Sequence, residues 1–168
     1  MPKPTLAELP DGIATIGYEL DMFVCSAAMA SQLPPIGFET NAFIESALIH
    51  ARGLAFFFAG SKDSDDIHWS NFTPKWTRSP SGSITFLGVV RRPLNKYLAH
   101  PTWTRIRDGK RTWDLAELVD HVLEVARSWA DALDSEQPAL GRVFRTGHLE
   151  KAERLLSPAP SRLVARTN

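Results

Sequence analysis

The chain of 168 residues contains 43% hydrophobic and 23% charged residues, and its formal net charge is zero. This length supports one domain with a sizeable core, and the neutral balance gives no overall attraction to nucleic acids. The charges are nevertheless uneven along the chain, because residues 91–111 are strongly basic and residues 114–136 are strongly acidic.

Cysteine usage and hydropathy exclude several classes of protein. Cys25 is the only cysteine, so the chain has no intrachain disulfide and no cysteine-rich zinc site. The first twelve residues lack the charged and then apolar pattern of a signal peptide. No apolar run approaches the roughly 20 residues of a membrane span. We therefore expect a cytoplasmic protein with no membrane partner.

The first half of the chain predicts two long helices. Residues 12–33 carry apolar side chains at helical spacing, and two prolines end this element. A second helix is predicted from about residue 40 to residue 59, because Gly60 stops it. After a polar loop, Asp65 or Asp66 is the predicted cap of a short helical turn.

The middle of the chain is harder to assign from sequence. Residues 83–90 have strand-like composition, but the neighbouring helices favour a helix. Pro93 predicts either a kink or a new helix that runs to His100. An Asp-Gly pair in residues 106–111 indicates a small hairpin.

Asp114 begins the clearest helix of the sequence. It stands at capping-box spacing from Glu117, and an apolar stripe continues to Leu133. The acidic side chains lie on the opposite face, which we interpret as solvated. The sequence thus predicts an all-α fold, a bundle of four main helices with short extra helices. We place the helical bundle domain at residues 1–137, and a short helix with a flexible tail at residues 138–168.

Polar residues divide the second helix into two seams. At about 100° per residue, Glu45 and Arg52 fall on one narrow stripe. We interpret this stripe as a structural ion pair, with phosphate or carboxylate binding by Arg52 as the alternative. His50 lies on a separate seam beside Ser46 and Gly53, which are small enough to let another helix approach. Because the helix also has many apolar sectors, we predict a homodimer.

The basic segment carries the candidate catalytic residues. If it is helical, Arg92, Lys96 and His100 follow one another along one face. A histidine among cations suits acid–base chemistry on a phosphodiester, since the cations stabilise the charge at the phosphate. We assign candidate catalytic roles to His100, Arg92, Lys96 and Arg105. A second polar cluster comprises Glu45, His50, Arg52 and Asn95. The alternative is that the basic face pairs with the acidic helix; neither reading calls for a metal or another cofactor.

Three pieces of the sequence resemble, in combination, small uncharacterised bacterial helical proteins. They are IESALIHARGLAFFF, an Asp-Asp loop with Trp69 and Phe72, and NKYLAHPTWTR, within roughly residues 40–105. Those proteins combine a His-x-Arg helix with a Lys-x-x-x-His segment that an arginine follows. More distantly, the arrangement is similar to that of HEPN domains, which are helical bundles and commonly dimers. Many HEPN domains are metal-independent endoribonucleases.

The HEPN resemblance implies roles for particular residues. It places the motif histidine at His100 and the motif arginine at Arg92, with Asn95 as the polar partner. We therefore expect a HEPN-like domain that binds RNA or cleaves it without a metal, in a toxin or phage-defence setting. The alternative is a non-catalytic binding or dimerisation module whose charged stripes fix its packing.

Overall fold

The architecture is mostly helical, which confirms the all-α prediction. A computed structural model describes residues 4–60, 66–98, 112–156 and 164–166. Within these ranges the long helices are α1 at Leu9–Gln32, α2 at Phe38–Ala59, α3 at Ser81–Leu98 and α4 at Leu115–Glu136. Shorter elements are a 3-10 turn at Trp69–Asn71, α5 at Pro138–Phe144, a π-helical turn at Arg145–Leu149 and α6 at Glu150–Leu156.

Local signals explain where these helices begin and end. α1 carries Pro10 in its first turn, where the missing N–H costs no hydrogen bond. Gly60 ends α2 with a φ of 98°, a conformation that favours glycine. Asp114 caps α4 as predicted, because its carboxylate accepts a hydrogen bond of 2.9 Å from the backbone N–H of Glu117.

Two local predictions need correction. The short turn after the polar loop is capped by His68, whose Nδ1 accepts a hydrogen bond from the backbone N–H of Ser70. Asp65 lies outside the described residues. Of the two alternatives at Pro93, a kink or a new helix, the new helix is wrong, because α3 is one helix that contains Pro93.

A short strand is described within the predicted C-terminal tail. Strand β1, Thr112–Asp114, pairs with strand β2, Val164–Arg166, in an antiparallel two-stranded ladder. The predicted hairpin at residues 106–111 lies outside the described residues. The composition of the tail gives no sign of this distant strand partner.

A cluster of aromatic rings fills the centre of the core. Trp129 is fully buried on α4, and its indole N–H donates a hydrogen bond of 2.9 Å to the Thr73 hydroxyl. Four rings meet the indole with centroids 4.9 to 5.9 Å away: Phe57, Phe58, Phe72 and Phe144. Because Phe144 belongs to α5, the segment after Pro138 shares this core.

α1 and α2 are each long and apolar enough to cross a membrane, judged by length and composition. This corrects the expectation that no segment approaches that length. In the fold, however, 56% and 44% of their most apolar stretches are buried inside the protein. The core helices of a soluble protein meet the same criteria, so this property alone does not assign a membrane location.

Candidate functional site

His50 of α2 lies at the contact between α1 and α2, where it has a partner on α1. His50 Nδ1 lies 2.9 Å from Oε2 of Glu19. The hydroxyls of Ser46 and Ser26 are hydrogen-bonded at 2.9 Å, and a Cβ on Gly53 would lie 2.9 Å from the Glu19 carboxylate. The separate seam is therefore present, and the helix that approaches it is α1 of the same chain. The small residues thus give no support to a dimer contact at this seam.

The predicted ion pair between Glu45 and Arg52 is wrong. Both residues lie within the described range 4–60, and no ion pair joins them. They stand seven residues apart on one helix, which separates them by about 10 Å along the axis. Glu45 is exposed, whereas Arg52 lies against the ring of Phe56, with its guanidinium carbon 5.6 Å from the ring centroid. The Nε of Arg52 is buried and has no hydrogen-bond partner in the described parts of the chain.

A second arginine reaches the same ring from α3. The guanidinium carbon of Arg91 lies 5.0 Å from the centroid of Phe56, and Nη1 donates a hydrogen bond to the Gly60 carbonyl. The carbonyls at the end of a helix carry its negative partial charge, so this position favours a cation. The C-terminal end of α2 thus gathers positive charge from two helices.

A third arginine, Arg78, lies in the loop before α3. Its Nη2 donates a hydrogen bond of 3.0 Å to the Ala59 carbonyl, and its guanidinium carbon lies 5.9 Å from the Trp69 ring centroid. The backbone φ of Arg78 is 57°, which is uncommon for a residue other than glycine. Burial, and then the positive charge of Arg78, lower the pKa of the neighbouring His68.

The remaining cations lie along α3. Arg92 is exposed, and Asn95 and Lys96 are half-buried. Gly88, Arg92 and Lys96 follow one another at intervals of four residues, so they share one face of the helix. Asn95 stands between Arg92 and Lys96 on the same helix. His100 and Arg105, the other two candidate catalytic residues, lie outside the described residues.

We define the basic surface as the side chains of Arg52, Arg78, Arg91, Arg92 and Lys96. None of these five cations forms an ion pair with an acidic residue of the ranges that the structure describes. Two acidic residues of α4 share another cation. Asp131 and Asp134 bind Arg145, and their hydrogen bonds raise its pKa. Pairing of the basic face with the acidic helix is thus absent from the described parts of both.

A cleft of about 440 Å³ adjoins the basic surface between the end of α2 and the start of α3. It is lined by Ala59, Thr77, Arg78, Ser81, Ile84, Thr85 and Gly88. Arg78 belongs both to the lining of the cleft and to the basic surface, and Gly88 lies one helical turn from Arg92 on the same face of α3.

A separate polar network joins α3 to α4. The hydroxyl of Ser83 lies 2.7 Å from His121 Nδ1 and donates a hydrogen bond to the Glu124 carboxylate. Since the hydroxyl has a single proton, Nδ1 of His121 must be the donor to Ser83. Phe86 stacks on the imidazole with a centroid distance of 4.0 Å. Ser83 is only 2% exposed, and its hydroxyl is already hydrogen-bonded to both His121 and Glu124. We therefore assign this network to helix packing.

Metal-ligating side chains do not gather in the described ranges. No group of three or more His, Cys, Asp or Glu residues there is arranged to hold a metal ion. The basic surface, by contrast, gathers five cations that have no acidic partner among the described residues. It is therefore the candidate site.

The fold and this surface define a mostly helical protein with a basic face on α2 and α3. Comparison of the chain with models of protein families, with curated proteins and with solved structures finds no match. The assignment of a function therefore depends on the chemistry of the surface itself.

Sequence reasoning missed Arg78 and the aromatic partners of the arginines. Arg78 lies outside the basic segment, in a loop whose other charged residue is Lys75, and its positive φ and its contact with Trp69 mark it in the structure. Phe56 stands four residues after Arg52 on α2, and that helical spacing was the available signal for their contact.

Proposed function

We propose that the protein binds RNA on the basic surface. The observation that carries this proposal is the set of five cations, from three neighbouring elements, that lack acidic partners in the described ranges. Keeping like charges together without counter-charges costs stability, unless a polyanion neutralises them. Nucleic-acid phosphates are such a polyanion, and the HEPN resemblance favours RNA.

Metal-independent cleavage of the bound RNA is the catalytic part of the proposal. The 2′-hydroxyl oxygen would attack the adjacent phosphorus while the bond to the 5′-oxygen breaks, which leaves a 2′,3′-cyclic phosphate and a 5′-hydroxyl. His100 would take the 2′-hydroxyl proton, and water or His100 of a second protomer would give a proton to the leaving 5′-oxygen. Arg92, Lys96 and Arg105 would stabilise the charge on the phosphate. In the sequence, His100 follows the last residue of α3 by two positions, which supports its link to this surface.

RNA binding is tested with a double charge reversal. We would measure the fluorescence anisotropy of a labelled single-stranded RNA with Arg92→Glu/Lys96→Glu and with Arg142→Glu/Arg154→Glu. The second pair makes the same change in net charge, and both of its arginines are exposed on the C-terminal helices. We expect the first variant to lose affinity by about tenfold or more and the control to stay close to wild type. Equal losses would contradict a localised site.

Cleavage is tested in excess chelator with wild type, His100→Ala and His50→Ala. The expected result is cleavage that His100→Ala abolishes and His50→Ala retains, because His50 is engaged with Glu19 on the α1–α2 seam. Activity that survives His100→Ala, or that requires added metal, would remove the proposed mechanism. Binding without cleavage would favour the non-catalytic module.

A homodimer is a second proposal, and the outward face of α2 supports it. Phe38 is 88% exposed and Ile49 is 52% exposed, and both lie on the face that leads to Phe56. Exposed apolar side chains on one helix face are typical of association surfaces. Light scattering should give twice the chain mass for wild type and the monomer mass for Ile49→Glu. A monomeric wild type at tens of micromolar would refute the dimer.

A further inference from the structure

The lining of the cleft combines polar and apolar groups. The polar groups are the guanidinium of Arg78 and the hydroxyls of Thr77, Ser81 and Thr85. The apolar groups are Ala59, Ile84 and the bare backbone of Gly88. A volume of about 440 Å³ lies within the roughly 300–1,000 Å³ of small-molecule sites, which commonly combine apolar walls with a few fixed polar groups.

Arg78 is held in place in the lining of the cleft. Its Nη2 is fixed on the Ala59 carbonyl at 3.0 Å, and the ring of Trp69 lies beside its guanidinium. Its Nε is buried without a hydrogen-bond partner in the described residues. A guanidinium that is fixed in this way loses little side-chain freedom when it binds an anion, and its planar fork suits phosphate oxygens.

The lining has open space over Gly88. A Cβ built on Gly88 would meet only the Ala59 Cβ, at 3.9 Å, which is an ordinary contact. The absence of a side chain at this position leaves an apolar surface of Ala59 and Gly88 open, and the Ala59 carbonyl holds the guanidinium of Arg78 next to it. An apolar surface beside a cationic group matches a planar base joined to a phosphate.

We propose that the cleft receives one unpaired nucleotide of the bound RNA. Its phosphate binds Arg78 and the neighbouring hydroxyls, and its base lies against Ala59, Ile84 and Gly88. Arg92, one turn beyond Gly88, takes an adjacent phosphate of the strand. The inference rests on the proposed RNA function and adds that the ligand is single-stranded where it meets the cleft.

The test fills the cleft from Gly88. Gly88→Leu places a side chain over the apolar surface, and leucine is also a better helix former than glycine. Gly82→Leu is the matched control, since it makes the same substitution on α3 at a position where an added Cβ meets nothing within 4 Å. Gly88→Ala, whose Cβ fits, and Arg78→Gln complete the set. Circular dichroism melting of each variant establishes that it folds.

Two ligands are measured with every variant. Isothermal titration calorimetry with uridine monophosphate, compared with inorganic phosphate and uridine, reports on the cleft alone, and anisotropy with single-stranded RNA reports on the whole surface. We expect Gly88→Leu and Arg78→Gln to weaken both by about tenfold. Gly82→Leu and Gly88→Ala should stay within about twofold of wild type, well below the tenfold step that one stacked base contributes.

The possible failures are distinct. If Gly88→Leu and Arg78→Gln leave RNA affinity unchanged while Arg92→Glu/Lys96→Glu lowers it, the RNA function stands and the cleft inference falls. If inorganic phosphate binds as well as uridine monophosphate, the base contact falls. If the monophosphate binds and RNA does not, the proposed function falls and the cleft is a mononucleotide site instead. If Gly88→Leu does not fold, Arg78→Gln decides alone.

Discussion

The guanidinium carbon of Arg91 lies 5.0 Å from the centroid of the Phe56 ring. Arg52 reaches the same ring at 5.6 Å, so one aromatic side chain serves two cations. The electron-rich face of a ring attracts a cation and thereby offsets part of the repulsion between the two arginines. Phe56 therefore helps to hold the positive charge of α2 and α3 together.

The lack of an ion pair at Arg52 predicts the effect of its replacement on stability. Arg52→Met keeps the packing of the side-chain stem and removes a buried Nε that has no partner in the described residues. We expect the free energy of unfolding to change by less than about 1 kcal/mol. Urea denaturation measures it, with Glu45→Gln as the control. A decrease of several kcal/mol in the free energy of unfolding would indicate that Arg52 forms a buried ion pair after all.

Close packing between α4 and α5 predicts a strong effect at one glycine. A Cβ on Gly141 would lie 2.6 Å from the backbone nitrogen and 2.7 Å from the Cα of Asp134. Because backbone must move to admit a methyl group, Gly141→Ala should destabilise the protein by about 1–3 kcal/mol. Gly147→Ala is the control in the next turn, where nothing lies within 4 Å. Thermal denaturation that finds both variants equally stable would contradict this packing.

The network at Ser83 predicts a moderate cost when its hydroxyl is removed. Ser83→Ala deprives His121 Nδ1 and the Glu124 carboxylate of their shared partner. Since Glu124 is exposed and regains water, we expect a loss of about 1–2 kcal/mol. Ser135→Ala, at an exposed position of the same α4, should cost much less. If Ser83→Ala abolished RNA cleavage while leaving stability unchanged, the network would be catalytic instead.

The environment of His68 predicts a response to pH. Burial and then the charge of Arg78 lower its pKa, so Arg78→Gln should raise that pKa, and burial should still keep it below the ordinary value of 6.5. An NMR titration of the imidazole measures the change, with Arg142→Gln as the control. A pKa unmoved by Arg78→Gln would place the guanidinium too far away to act.

The same shift fixes the sign of a stability effect. A lowered pKa means that the unfolded chain binds more protons than the folded chain below about pH 6.5. The contribution of His68 to the free energy of unfolding therefore falls as pH decreases through 6.5 toward the lowered pKa. His68→Gln should lessen the acid-induced loss of stability, as denaturation curves at successive pH values would show.

Helix period and capping residues predicted most of the fold, because both are local properties. The stripe from Leu115 to Leu133 and the Asp114 cap are examples, since each depends on residues within a few turns. The pairing of β1 with β2 was not predictable in this way, because its partners lie some fifty residues apart.

The candidate site shows the same limit. The shared face of Arg92 and Lys96 follows from their spacing, and so does the seam of His50. The partner of His50 is Glu19, thirty-one residues away, and which helix fills a seam depends on tertiary packing. Glu45 and Arg52 point in the same direction from the axis of α2. They are nevertheless about 10 Å apart along that axis, which is too far for an ion pair.

The salt dependence of RNA affinity tests the central claim most directly. Each phosphate that a cation neutralises on a single strand contributes about −0.7 to the slope of log K against log salt concentration. We predict a clearly negative slope for wild type, which becomes shallower by about 0.7 for each phosphate contact that Arg92→Glu/Lys96→Glu removes. Arg142→Glu/Arg154→Glu should leave the slope unchanged. A wild-type slope near zero, or the same slope in both double variants, would contradict RNA binding by the basic surface.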